Sequence, residues 1–270
     1  MHELLEYGFF RNALWSTLLI GTGCGLVGTY IVARRVVFIS GGITHASFGG
    51  LGLAYFLGLS PLLGAALFAL AAAFSILRLS AGGRFREDSL IGIFWSAGMA
   101  MGVLFIYLTP GYAPNLLSYL FGNILTVTAS QVWLSLALGA AIVLFFVLFH
   151  RPLFYIAFDR EYSRTHHVAI EWLETGVTVC MALCIVLCMK LAGIILVISY
   201  LTIPPTIAAR FRGNFKQQLV LSAAVSCAGS VAGLFASALL DLPSGATIVF
   251  CFLLLLAACH AMRRRGKAPR

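Results

Sequence analysis

His45 is the residue whose type and setting most directly indicate chemistry. It stands in the run SGGITHASFGG, residues 40–50, with Gly41 and Gly49 one helical turn away on its own face. Imidazole is a favoured ligand of transition metals, and an ionisable side chain in an apolar stretch is costly unless it meets a partner or a wet path. Two interpretations remain open, a metal-route residue and a histidine hydrogen-bonded to a neighbouring carbonyl.

Pro204 and Pro205 stand in the middle of another apolar stretch and predict a helix break. Each removes a backbone donor and clashes with the carbonyl four residues earlier. Unsatisfied backbone within a membrane is tolerated only inside protein or beside a wet cavity, so such a helix is expected to face a translocation route. A simple kink packed against neighbouring helices is the alternative.

The seven cysteines all lie in apolar runs and form no CxxC pair, so a disulfide framework or zinc knuckle is not supported. Cys180, Cys184 and Cys188 follow i, i+4, i+8 spacing along one helix face. This spacing leaves open a soft thiol stripe for metal conduction and, as the alternative, small hydrophobes in a packed interior.

The composition indicates that these residues lie on membrane-spanning helices. With 61% hydrophobic residues, 10% charged residues and a mean hydropathy of +0.99, the chain resembles a polytopic membrane protein and not a soluble one. We predict an all-α protein with a single domain over residues 1–270 and these segments: Ala13–Ala33, Ile43–Leu59, Leu62–Leu79, Ser89–Thr109, Val132–Phe149, Ala169–Met189, Leu191–Ala209, Leu219–Leu240 and Ala246–Met262. Leu116–Val127 is too short to cross and is predicted to be re-entrant or to lie at the surface. Eight crossings remain an alternative to nine if one short segment fails to traverse.

The basic residues predict the orientation of the chain. If every segment crosses and the N-terminus is outside, all of the 18 Lys and Arg except Arg11 and Lys190 fall on one side, which leaves 16 in the cytoplasm with the C-terminus. The net charge of +9 lies in short spacers between apolar runs, so nucleic acid is not an expected partner. The acidic start does not resemble a signal peptide, and the first apolar run is expected to stay in the protein.

The motifs for nucleotide binding and for the commonest hydrolases are absent from the sequence. There is no G-x-x-x-x-G-K-[ST], H-E-x-x-H or G-x-S-x-G. The chain is therefore not expected to bind ATP by itself, and the two commonest sequence indications of a hydrolase are missing.

Several stretches, in order along the chain, resemble one family, the membrane permeases of bacterial zinc, manganese and iron ABC importers. Residues 34–50 are similar to its arginine pair and D-x-x-x-H-A motif, and residues 118–127 (SYLFGNILTV) to its Y-L-F-G-D-I-L segment. Residues 158–162 (FDREY) resemble its F-D-P-E-F loop, and residues 193–205 and 241–249 resemble its L-x-x-P and D-x-P-x-G-A-x-I segments. The resemblance runs nearly end to end.

The resemblance implies a permease of eight or nine helices in the bacterial inner membrane, which is a transport subunit and not an enzyme. It implies a second permease chain, two ATPase subunits that bind the ATP, a metal-loaded extracytoplasmic binding protein, and no covalently bound cofactor. The metal pathway is then predicted to consist of His45, Thr44, Ser47, Asn123, Ser199 and Thr202. Gly41 and Asn123 stand where the family usually has aspartate. The loss of a hard oxygen ligand beside His45 makes iron or a chelate an option as well as zinc or manganese.

The long spacer between the fifth and sixth segments, about residues 150–168, is the predicted contact with the ATPase. Asp159 can cap a short charged helix that includes Arg160 and Glu161, and Phe158 and Tyr162 share an aromatic edge at i and i+4. On composition alone the same charges describe a solvated face.

Two other classes of protein are weighed against the ABC permease. A secondary transporter usually carries carboxylates within its spans, whereas Glu171 and Glu174 lie near the cytoplasmic end of the sixth segment. An intramembrane enzyme would need a constellation of reactive groups, and one histidine does not supply it.

Overall fold

The computed structural model describes residues 6–83, 85–110, 127–159, 163, 169–211 and 213–265. Every regular element in these ranges is an α-helix, which confirms the all-α fold class. In chain order the helices are α1 (Gly8–Ala33), α2 (Phe38–Phe56), α3 (Pro61–Ala81), α4 (Glu87–Leu108), α5 (Ala129–Phe158), α6 (Ile170–Ala192), α7 (Ile194–Ala208), α8 (Phe215–Leu240) and α9 (Ser244–Arg265).

Each predicted apolar segment corresponds to one of these helices. Seven of them are long and apolar enough to cross a membrane, and α7 is apolar but shorter. Helix α2 is not among the seven because Gly, Ser, Thr and His dilute its apolar residues. Of its 19 residues, 14 are buried, so α2 faces protein and not lipid. The predicted short helix Leu116–Val127 lies outside the described residues except for Val127.

Small residues bring α2 into close contact with its neighbours. A Cβ added to Gly49 would lie 2.8 Å from the carbonyl oxygen of Gly98 on α4, and one added to Gly52 would lie 2.6 Å from that of Gly102. On the other side, Gly50 meets Gly64 of α3. Glycines spaced at about one turn let helix backbones approach closely, so van der Waals packing can hold α2 between α3 and α4. Helix α6 also packs against α2 and α3.

Helix α1 is the centre of the second group of helices, α5, α7, α8 and α9. It packs against α5, α7 and α8. The Ser222 hydroxyl of α8 donates to the carbonyl of Gly25 at 2.8 Å, where a Cβ on Gly25 would lie 2.7 Å from the Cα of Ala223. The close approach therefore places a polar contact inside the bundle, where it is shielded from lipid.

The predicted helix break at Pro204 and Pro205 is wrong. Helix α7 continues through both prolines to Ala208, and the interruption lies earlier, at Gly193, whose φ of 80° and ψ of 166° separate α6 from α7. This backbone conformation is open essentially only to glycine. The ring of Pro205 crowds the carbonyl of Leu201, four residues earlier. That carbonyl faces Gly28 of α1, where a Cβ would lie 2.5 Å from its oxygen, so the glycine leaves the space that the proline-containing turn needs.

The fifth helix is longer than predicted. Helix α5 runs to Phe158, so the first nine residues of the predicted spacer at 150–168 belong to it. Pro152 lies inside the helix. Aromatic packing supports the extension, since the Phe154 ring lies 5.8 Å from the Phe215 ring at the start of α8.

An ion pair joins α1 to α6 at the predicted cytoplasmic end. The Arg34 Nη1 atom lies 3.2 Å from Oε1 of Glu174, whose side chain is only 4% exposed. Burial lowers the pKa of Arg34, but the nearby Tyr30, Glu174 and Glu87 raise it, and the net pKa is above its usual value. The guanidinium therefore stays charged beside a cavity of about 160 Å³ that Arg34, Glu174 and Glu87 line together with apolar residues.

We predict that Gly50→Ala destabilises the bundle. The new methyl group would collide with the Gly64 carbonyl and lie 2.6 Å from Cγ of Phe68, and overpacking of this kind costs about 1–3 kcal/mol. Thermal unfolding of the purified protein measures the effect. Gly92→Ala on α4 is the matched control because nothing lies within 4 Å of its added methyl group. Equal stability of the two variants would contradict the close approach of α2 and α3.

We also predict that Glu174→Gln destabilises the protein, because it removes the negative charge that lies 3.2 Å from the Arg34 guanidinium. Breaking a buried pair costs about 3–5 kcal/mol, and the lower end applies here since 22% of the Arg34 side chain is exposed. The control is Glu171→Gln, which removes the 3.6 Å pair of Glu171 with Arg78, whose side chains are 87% and 66% exposed. That exposed pair should contribute roughly 0–1 kcal/mol. Similar losses in chemical unfolding would argue against a special role for the buried pair.

Candidate functional site

The His45 side chain is held between α2 and α4. Its ring stacks on Trp95, with centroids 4.2 Å apart and planes inclined by 20°, and its Nδ1 atom lies 3.0 Å from the sulfur of Met99. Trp95 and Met99 are one turn apart on α4, so a single face of that helix contacts both the ring face and the ring edge. The histidine is half-buried.

The glycines that flank His45 admit α4. A Cβ on Gly41 would collide with the six-membered ring of the Trp95 indole, with its Cη2 atom 3.1 Å away. At the other flank, the backbone of Gly98 lies against Gly49. Position 41 therefore has no room for a side chain while Trp95 holds its place, which gives a physical reason for a glycine one turn before the histidine.

The hydroxyl groups predicted along the pathway bond to their own helices. Thr44 donates to the carbonyl of Ser40 at 2.6 Å, and Ser47 donates to that of Thr44 at 2.6 Å and lies 3.3 Å from the Met189 sulfur. On α7, Ser199 and Thr202 donate to carbonyls four residues earlier, at 3.4 and 2.7 Å.

Among the described residues, no hydrogen bond joins these four hydroxyls to the His45 ring. Asn123 lies outside the described part of the chain. The set of pathway residues therefore stays a prediction, in which the ring of His45 contacts Trp95 and Met99 on α4.

The cysteine stripe lies in the packed interior. Cys180, Cys184 and Cys188 are buried, and the Cys188 sulfur lies 3.4 Å from that of Cys24 on α1. Within the described ranges, no cluster of three or more His, Cys, Asp or Glu side chains is suited to hold a metal ion. This placement favours the interpretation of these thiols as small core hydrophobes.

The residues predicted to contact the ATPase lie at the end of α5. Phe158 is 59% exposed, and its ring lies 4.9 Å from that of Phe154. Asp159 ends the helix with extended backbone, and its carbonyl accepts from the backbone N–H of Ser163 at 3.2 Å. A groove of about 340 Å³ lies beside Phe154, between the end of α5 and the start of α8. Arg160, Glu161 and Tyr162 lie outside the described residues.

Comparison with known proteins decides the family. The sequence model of the ABC 3 transport family matches residues 6–263. The chain belongs to this family. The resemblance predicted from the sequence is thereby confirmed, and the bundle described above is a fold of the ABC 3 transport family.

Relatives of this ABC 3 family protein match it over almost their whole length. It is 37% identical to slr2045, an uncharacterised membrane protein of Synechocystis sp., over 98% of this chain and 94% of that protein. It is 31% identical to the manganese transport system membrane protein MntC of Halalkalibacterium halodurans, over 92% of this chain and 85% of that protein. The solved structure of PsaBC from Streptococcus pneumoniae in complex with Fab has a TM-score of 0.84 at 28% identity, covering 95% of this chain and 92% of that one.

Sequence reasoning missed Trp95 and Met99. Both lie in an apolar run and have the character of lipid-facing or core residues. The sequence feature that could have indicated them was the glycine at position 41, which leaves space for a large aromatic residue of another segment. Gly41 and Trp95 come together only because α2 packs against α4, and the sequence alone does not show which helices pack together.

Proposed function

We propose that this protein is the permease subunit of an ATP-driven importer that moves a transition-metal ion or its chelate across a bacterial cytoplasmic membrane. The observation that carries the proposal is the end-to-end match in sequence and fold to PsaBC and to a manganese transport system membrane protein. The chain is a multi-pass membrane protein with no nucleotide-binding motif, so ATP is hydrolysed by a separate subunit.

The partners follow from this assignment. They are an ABC ATPase at the cytoplasmic face, an extracytoplasmic metal-binding protein, and a second permease chain that completes the pathway. The exposed Phe158 and the groove beside Phe154 support an ATPase contact at the end of α5, where Asp159, Arg160, Glu161 and Tyr162 follow. A secondary transporter is disfavoured because the described carboxylates lie at helix ends or in loops, and Glu174, the one buried carboxylate among them, is paired with Arg34.

His45 is the proposed contact of the cargo along this route. It is the ionisable group placed part-way along α2, and a half-buried histidine at that depth is costly unless it meets a partner or a wet path. The metal is cargo and not a resident cofactor, so a weak site with few ligands is adequate.

His45→Ala should lower ATP-dependent metal uptake by about tenfold or more in vesicles that contain the complete importer. The ATPase should still copurify, because His45 lies on α2 and the proposed ATPase contact lies at the end of α5. His260→Ala is the matched control, since His260 is exposed on α9 and pairs with Arg210 at 2.7 Å. Unchanged uptake by His45→Ala would show that the side chain serves only in packing and does not contact the cargo.

The proposed orientation places the N-terminus outside and the C-terminus in the cytoplasm. A membrane-impermeant maleimide should therefore label Leu59→Cys, which is exposed after α2, in intact spheroplasts, and should label Arg86→Cys only after lysis. The unsubstituted protein corrects for its own cysteines, of which Cys227 and Cys251 are only partly buried. Labelling of Arg86→Cys in intact spheroplasts would place this residue outside the cell. It would show that the orientation is the opposite of the proposed one or that a preceding segment does not cross.

A further inference from the structure

We propose that the end of α5 and the start of α8 form a binding site for an anionic phospholipid of the inner leaflet. Arg151 and Lys216 bind its phosphate group, and one acyl chain lies in the apolar cleft beside them. The site is independent of the metal cargo, and its assignment to the inner leaflet rests on the proposed orientation of the chain.

Two cavities adjoin at the side chains of His150 and Lys216, which line both of them. The first is the groove of about 340 Å³ beside Phe154, which also has Arg151 in its wall. The second has a volume of about 120 Å³, and its other lining residues are apolar: Leu26, Phe146, Val147, Leu219 and Val220. Those on α5 and α8 lie about one turn farther from the helix ends than His150 and Lys216. A phospholipid has the same order of parts, a charged head followed by apolar chains.

The charges around the groove favour an anionic headgroup. Arg151 and Lys216 are exposed, and no described carboxylate lines either cavity. Guanidinium and ammonium groups bind phosphate through charge-assisted hydrogen bonds, whereas the ammonium group of a zwitterionic lipid would be repelled. The start of α8 is already capped, because the Asn214 side chain accepts from the backbone N–H of Gln217 at 2.9 Å. The attraction therefore comes from the two cations.

The apolar cavity is a cleft between two helices. Helices α5 and α8 both pack on α1 but contact each other only sparsely, and Leu26 of α1 lies between them. Val147 and Val220 on the two sides of the cleft are 63% and 64% exposed. An acyl chain in the cleft gains van der Waals contacts with both helices, whereas a soluble phosphate compound would leave the cleft unfilled.

The aromatic residues of the groove indicate its depth in the membrane. Phe154 and Tyr155 line it and are 37% and 42% exposed. Tyrosine is enriched at the level of the lipid headgroups. Basic pockets between membrane helices on the cytoplasmic side are suited to anionic headgroups. In the proposed orientation, Arg151 and Lys216 therefore lie at the depth of the phosphate groups of the inner leaflet.

The test measures binding of phosphatidylglycerol and of phosphatidylcholine with the same acyl chains to the purified full-length permease, by native mass spectrometry. The native chain should bind phosphatidylglycerol about tenfold more tightly or better. Arg151→Gln with Lys216→Gln should weaken phosphatidylglycerol binding by about tenfold or more and leave phosphatidylcholine binding nearly unchanged. The matched control is Arg78→Gln with Arg86→Gln, which removes two exposed charges that line neither cavity. Equal losses in the two double variants would overturn the inference.

A second pair of variants tests the cleft and keeps the charges. Val220→Trp fills the cavity of about 120 Å³ and should weaken phosphatidylglycerol binding severalfold. Val103→Trp, at a position of α4 that is 58% exposed, is the control and should have no effect. An excess of glycerol 3-phosphate should not displace the lipid. Native binding by Val220→Trp, or displacement by glycerol 3-phosphate, would assign the site to the phosphate group alone and overturn the lipid site.

An ATPase subunit is the other candidate occupant of the groove, because the proposed ATPase contact lies at the same end of α5. If the ATPase is the occupant, Arg151→Gln with Lys216→Gln will abolish its copurification and leave lipid binding unchanged, which would overturn the inference. The lipid measurements use the permease alone. Failure of metal uptake by the complete importer would therefore refute the proposed function and leave the lipid site standing.

Discussion

The close approach of α2 to α3 and α4 is the constraint on which the rest of the structure depends. Gly50 meets Gly64 on one side, while Gly49 and Gly52 meet Gly98 and Gly102 on the other. Because the contact is made by backbone, it tolerates almost no added volume, and it fixes the register of α4 against α2. That register brings Trp95 over Gly41 and Met99 to the edge of the His45 ring. The electrostatic character of the site thus follows from packing that involves no charged group.

Helix α2 can have a low hydropathy because it is enclosed by other helices. A helix that faces lipid must be apolar, whereas a helix enclosed by other helices can carry Ser40, Thr44 and Ser47 if their hydroxyls return to backbone carbonyls. The enclosure removes the need for an apolar surface and leaves His45 half-buried against α4. The helix that departs most from an ordinary membrane span is therefore the one that carries His45, the proposed contact of the cargo.

The sequence predicted the helices well because apolar length and basic spacers are local properties, and each of the nine segments became a helix. Its errors were in places where tertiary contacts decide. Two prolines in succession predict a break, but the helix continues through them where Gly28 accommodates the Leu201 carbonyl, and the interruption lies at Gly193. His45 was identifiable as an ionisable residue within an apolar run. Its partners Trp95 and Met99 were not, because they belong to a helix more than 30 residues later.

Helix α6 connects the two groups of helices and follows the segment proposed to receive the ATPase. It packs against α2 and α3 on one side and against α1, α5 and α7 on the other. Its Glu174 holds Arg34 at the turn from α1 into α2, where Arg35 adopts a left-handed conformation with φ of 62°. Since packed helices shift as rigid units, a displacement of the α6 start would act through this pair on the α1–α2 turn and hence on the helix that carries His45. The ion pair opposes separation of the α1–α2 turn from the start of α6, because separation would leave an uncompensated charge at either partner.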